Sequence, residues 1–151
     1  MNDLQEELQR VLVAEDDHDD FELLANVISD LSLKVILKRA ENGDILMKIM
    51  HENIPDILFL DILMPRRDGK HCLHEIRTYR KFDNLPIIVY TSLQDLETIE
   101  FCYRHGTNLF VHKPHSYSEL VEVIQKIFTI NWKKVNYYPT RDNFVLNPYF
   151  S

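Results

Sequence analysis

Cysteine is scarce: Cys72 and Cys102 are the only two in 151 residues. That argues against a disulfide-stapled scaffold, and reads as two small buried hydrophobes in a reducing compartment. No apolar run approaches the roughly 20 residues of a membrane-crossing helix. The opening stretch, MNDLQEELQ, is polar and acidic, unlike a secretory signal, so the expected location is cytoplasmic. Basic residues are outnumbered, 17 Lys and Arg against 24 Asp and Glu, for a net charge of −7. This balance does not supply the basic face that nucleic-acid binding requires. Internal repeats and low-complexity segments are absent as well.

What is present is an ordinary globular composition, 45% apolar and 27% charged, in a length that suits one domain. Apolar runs of strand length fall at Arg10–Glu15, Lys34–Arg39, Asp56–Asp61, Pro86–Thr91 and Leu109–His112. Amphipathic stretches alternate with them, at about Asp19–Leu31, Gly43–Glu52, Lys70–Lys81, Gln94–His105 and Ser116–Lys134. Strands alternating with helices predict an α/β fold with a parallel sheet covered on both faces. Right-handed crossovers leave few topologies, and a doubly wound, flavodoxin-like five-stranded sheet of order 2-1-3-4-5 is the expectation. The expected domain body is 1–134. The remainder, 135–151, is rich in aromatics, fits no helix, and is too short to form a separate effector domain. It reads as a tail folded over the surface or as a dimer contact.

The first strand runs straight into acid. Val11, Leu12, Val13 and Ala14 are followed by Glu15, Asp16 and Asp17, and then by Asp19 and Asp20. In a doubly wound sheet, ligands bind at the carboxyl ends of the strands where strand order reverses, here between strands 1 and 3. Strand 3 ends in Asp61, so Glu15, Asp16 and Asp61 should meet there. Such a cluster is costly without a cation, and a hard divalent ion with oxygen ligands, Mg²⁺ above all, resolves it. Strand 4 ends in Thr91-Ser92 and strand 5 leads to Lys113. A hydroxyl and an ammonium facing a carboxylate–metal site form a phosphate cradle, and an aspartate can attack phosphorus to give an acyl phosphate.

With VLVAEDD, DILFLDILMPRRDG, PIIVYTS and FVHKP in this order, the chain resembles the response-regulator receiver domain of two-component signalling, over about Arg10 to Asn131. The resemblance implies Asp61 as phospho-acceptor and Asp16 as direct metal ligand. It implies Glu15 acting on the metal through water, and Leu63 giving it a backbone carbonyl. Thr91 and Lys113 match the phosphate-contacting hydroxyl and lysine, and Pro65, Asp68 and Gly69 the turn after the acceptor. Phe110 matches a switching aromatic that turns inward as Thr91 is drawn to the phosphoryl group. The Lys113–Pro114 bond is often cis in such domains. The implied partners are a sensor histidine kinase or a histidine phosphotransfer protein, with a homodimer possible through the face beside strand 5. The implied role is a switch rather than an enzyme, acting through protein contacts, without nucleic-acid binding or membrane insertion.

Some positions depart from the common pattern. His115 stands where an aromatic is usual. Leu63 and Leu93, each two residues after a site residue, are apolar and cannot orient water, which predicts a long-lived phosphoryl group. A Mg²⁺-dependent aspartyl phosphatase would carry a second Asp at position 63, and Leu63 argues against it. A non-phosphorylated pseudo-receiver would have lost Asp61, Asp16 or Lys113, and all three are present. His71 and His74 read as surface residues and His18 as an exposed loop histidine. Asp17, Asp19 and Asp20 are expected to shape the loop and cap the first helix.

Overall fold

A computed structural model describes residues 8–132 and 138–146. Five strands occupy the expected stretches: β1 Gln9–Ala14, β2 Val35–Ala40, β3 Ile57–Leu60, β4 Ile87–Thr91 and β5 Leu109–His112. The helices between and after them are α1 His18–Asp30, α2 Gly43–Glu52, α3 Gly69–Ile76, α4 Leu96–Arg104 and α5 Tyr117–Thr129. All neighbouring strands pair in parallel, and the first five follow the order 2-1-3-4-5.

The sheet has a sixth strand. Residues Arg141–Phe144 form a short helix, α6, and Val145–Leu146 form β6, which pairs in parallel with β5. The expectation of five strands and a tail without helix is therefore corrected. A strand of two residues has no readable periodicity, and its partner lies some 35 positions upstream, with Phe110 opposite Val145 and Val111 opposite Leu146. The other tail residues, 135–137 and 147–151, lie outside the described residues, as do Lys133 and Lys134.

Alternation along the strands divides the core in two. Val11, Val13, Ile57, Phe59, Ile88, Tyr90, Leu109 and Val111 face α1 and α5. Leu12, Ala14, Leu58, Leu60, Ile87, Val89 and Phe110 face α2, α3 and α4. Phe144 joins this second cluster, fully buried. The β1, β3 and β4 strands are buried almost throughout, as a sheet covered on both faces requires, whereas β2 alternates because it is an edge strand.

The helices are set by side chains at the carboxyl edge of the sheet. Asp17, Asn42, Asp68, Asp95 and Ser116 each accept a hydrogen bond from the backbone N–H three residues on, at 2.9–3.2 Å. The α3 helix stops at Ile76, short of the expected Lys81. The guanidinium of Arg77 donates to the carbonyls of Phe82, Leu85 and Gly106 at 2.7–2.9 Å, and a separate 3₁₀ turn forms over Arg80–Phe82. Gly106, at φ +74°, takes the left-handed position that ends α4. Among the described residues no peptide bond is cis, so Lys113–Pro114 is trans, and no helix is long and apolar enough to cross a membrane.

Candidate functional site

The carboxyl ends of β1 and β3 are stitched together by the ladder itself. Asp61 N–H donates to the carbonyl of Ala14 at 3.0 Å, and Glu15 N–H to that of Ala40 at 3.0 Å. Each acid thus hangs from backbone held by a neighbouring strand. Oxygens of Glu15, Asp16 and Asp61 lie within 4.8 Å of one another, with Glu15 and Asp61 buried and Asp16 exposed. Asp61 Oδ1 accepts from Leu63 N–H at 3.0 Å, and Glu15 Oε2 from Asp17 N–H at 3.2 Å. On the far side of β3, Gly69 N–H donates to the Ile62 carbonyl at 2.9 Å. The loop crosses Asp61 so closely there that a Cβ on Gly69 would stand 2.5 Å from the Asp61 carbonyl oxygen.

Lys113 reaches into this cluster from the end of β5. Its Nζ lies 2.7 Å from Glu15 Oε1, 2.7 Å from Asp20 Oδ2 and 2.9 Å from Asp61 Oδ2. The contacts with Asp20 and Asp61 are aligned hydrogen bonds, whereas that with Glu15 is an ion pair whose angles miss hydrogen-bond alignment. Lys113 N–H donates to the Thr91 carbonyl at 2.8 Å, which ties the lysine to the end of β4. Thr91 is fully buried, and its Oγ1 accepts from Leu93 N–H at 3.4 Å.

Electrostatics follow from burial and crowding. Burial pushes the Glu15 carboxyl up to about 7, and Asp61 adds to the rise, while Lys113 and the Asp17 N–H oppose it. Burial of Lys113 works against its charge, but the carboxylates of Asp20, Glu15 and Asp61 outweigh it and hold the ammonium above the usual lysine range. One ammonium inside the cluster thus faces the carboxylates of Glu15, Asp20 and Asp61, with that of Asp16 beside Glu15 and Asp61. The donor set is all oxygen, anionic and under-neutralised, which suits a hard divalent cation.

The model of the response regulator receiver domain matches residues 11–125. The chain belongs to the response-regulator receiver family. It is 30% identical over 117 residues to the probable C4-dicarboxylate response regulator DctR of Bacillus subtilis, a match covering 78% of this chain and 51% of that one. It spans about half the length of the first curated relatives it matches. Among solved structures, the Mn(2+)-bound form of response regulator Rcp1 superposes with a TM-score of 0.76 at 21% identity, covering 87% of this chain and 99% of that one. Response regulator RPA3017, from red light signaling of R. palustris, gives 0.74 at 26% identity over 80% and 92%. The chain is a receiver domain of two-component signalling, a class of switches that typically hold Mg²⁺ in an acidic pocket.

Within the receiver domain the expected site residues fall into distinct places. Glu15, Asp16, Asp61 and Lys113 come together, and Thr91 is joined to Lys113 through backbone. Leu63 is half exposed beside Asp61. Phe110 is fully buried, its ring 6.2 Å from that of Phe144. His18 opens α1 rather than lying in a loop, and faces Glu22 at 3.8 Å. His71 and His74 are exposed on α3, and Cys72 and Cys102 are buried and unpaired.

Two residues had no warning in the sequence. Asp20 was expected only as a capping acid; its N–H does bond the Asp17 side chain, but its carboxylate goes to Lys113, 93 positions away. Arg39, at the end of β2, donates to the carbonyls of Glu15 at 2.9 Å and Asp16 at 2.7 Å and so pins the acidic loop. The common signal is their position at a strand or helix end facing the reversal of strand order, which identifies neighbours only once register is known.

Proposed function

We propose that this receiver domain accepts a phosphoryl group on Asp61 from the phosphohistidine of a sensor histidine kinase or histidine phosphotransfer protein, and signals through protein contacts. The observation that carries this reading is the pairing of Asp61 Oδ2 with Lys113 Nζ at 2.9 Å inside a buried acidic cluster. An Asp61 oxygen attacks phosphorus, the bond from phosphorus to the donor atom breaks, and the electron pair leaves with the donor. Lys113 presents an ammonium to the phosphoryl oxygens, and Thr91 a hydroxyl. Asp16 and Asp61, the Leu63 carbonyl, and Glu15 through water would hold Mg²⁺. When bound, that ion supplies the positive charge the cluster lacks.

The switch in this reading is Thr91 with Phe110, and the body over 1–134 carries the chemistry, while Val145–Leu146 of the 135–151 segment pair with the β5 edge. Phe110 faces Phe144, so a change at Phe110 reaches the tail directly. The test is intact mass after incubation with Mg²⁺ and acetyl phosphate, with size-exclusion chromatography of the same samples. One added phosphoryl group, absent from Asp61→Asn, is the expected result, and an altered elution would identify homodimerisation as the output. No added mass would overturn the reading and leave a pseudo-receiver.

A further inference from the structure

An ammonium has three N–H donors, and Lys113 Nζ has three carboxylate oxygens within 2.9 Å. Those of Glu15 and Asp61 come from the strand ends and are buried. Asp20 is different: it stands on the first turn of α1, and its side chain is 38% exposed. A lysine side chain is long and rotatable, and loses rotamer freedom on being fixed. We propose that Asp20 is a positioning residue that anchors Lys113 over the acceptor carboxylate. This rests on the reading of Asp61 as phospho-acceptor.

The geometry explains why a third acid is useful. When Asp61 becomes an acyl phosphate, the oxygen that paired with Lys113 loses its full charge. Glu15, in the same reading, faces the cation. Asp20 belongs to neither role, so its grip on Nζ persists from the free site through phosphoryl transfer. It takes one donor from the side of α1 and leaves the remainder directed at Asp61, a pre-organisation that the flexible lysine cannot supply alone.

The test follows uptake of phosphoryl from acetyl phosphate with Mg²⁺ by intact mass, for wild type, Asp20→Ala, Asp20→Asn, Lys113→Met and the double variant Asp20→Ala/Lys113→Met. The expected result is an uptake rate at saturating donor about tenfold lower in Asp20→Ala. Asp20→Asn, whose amide oxygen still accepts, should fall between Asp20→Ala and wild type. In the Lys113→Met background the alanine change should have no further effect, because Asp20 acts through Lys113. A merely structural role would lower the rate in both backgrounds and lower the melting temperature with it. Uptake that is unchanged or faster in Asp20→Ala, or an equal loss in both backgrounds, overturns the proposal while leaving Asp61 as acceptor. Failure of the wild-type protein to gain mass overturns both.

Discussion

Truncating Phe144 to alanine isolates the hold of the C-terminal segment on the sheet. The ring is fully buried, 5.2 Å from the ring of Tyr103 on α4 and 6.2 Å from that of Phe110 on β5. A buried phenylalanine removes about 150–250 Å² from water, worth about 4–6 kcal/mol, and Phe→Ala in a core costs about 3–5 kcal/mol. What else holds the segment is slighter. The Arg141–Glu100 pair is more than one-third exposed on each side, and such pairs contribute about 1 kcal/mol or less. The β6 ladder covers only Val145 and Leu146. Phe144→Ala should therefore release residues 138–146 by local opening before the body unfolds. Hydrogen exchange followed by mass spectrometry should show amides of β5 and of Val145–Leu146 exchanging about 100-fold faster, with β1 and β3 unchanged. The urea midpoint should fall by less than a core truncation usually causes, since opening of the segment caps the loss. Unaltered exchange over 109–112 and 138–146 would refute this account of how the segment is held.

Three other outcomes follow from the site. With the Glu15 carboxyl at about 7 in the folded protein and 4.5 as its ordinary value, the folded state binds the extra proton between those two pH values. Metal-free stability should thus be highest at the acid end of that window and decline by about 3 kcal/mol at most as pH rises through 7. Urea titrations of Glu15→Gln should lack this decline, and Mg²⁺ should reduce it in the wild type. Gly69→Ala would drive a Cβ against the backbone of Asp61 and Ile62, each at 2.5 Å, so a loss of about 1–3 kcal/mol in urea unfolding and slower phosphoryl uptake are expected. Leu63 is half exposed beside the acceptor, so Leu63→Asn, and likewise Leu93→Glu, should shorten the phosphoryl lifetime several-fold. A lifetime equal to wild type would show that apolar shielding is not what sets it.

The parts that were legible from sequence share a physical cause. Strand-length apolar runs separated by helical periods define five βα units, because a strand covered on both faces has to be apolar throughout, as Ile57–Leu60 and Ile87–Thr91 are. Chain chirality then limits the order of those strands, and the order locates the acids of β1 and β3 side by side. Glu15, Asp16, Asp61 and Lys113 are readable because each stands within two residues of the end of an apolar strand. The α3 helix ends earlier than its periodicity suggests because Arg77 finds its carbonyl partners on the 3₁₀ turn, the following loop and the end of α4, none of which periodicity reveals.

Tertiary structure alone decided the rest. β6 has only two residues, and what makes it a strand is the free edge of β5 and the apolar hollow that receives Phe144. Asp20 looks like any acid in a first helical turn until the fold brings Lys113 to 2.7 Å. Arg39 looks like one charge on an edge strand until the β1 loop presents two carbonyls to it. Local sequence determines which elements form and which groups they carry to their ends. Which of those groups touch is set by long-range packing, where sequence separation carries no distance information.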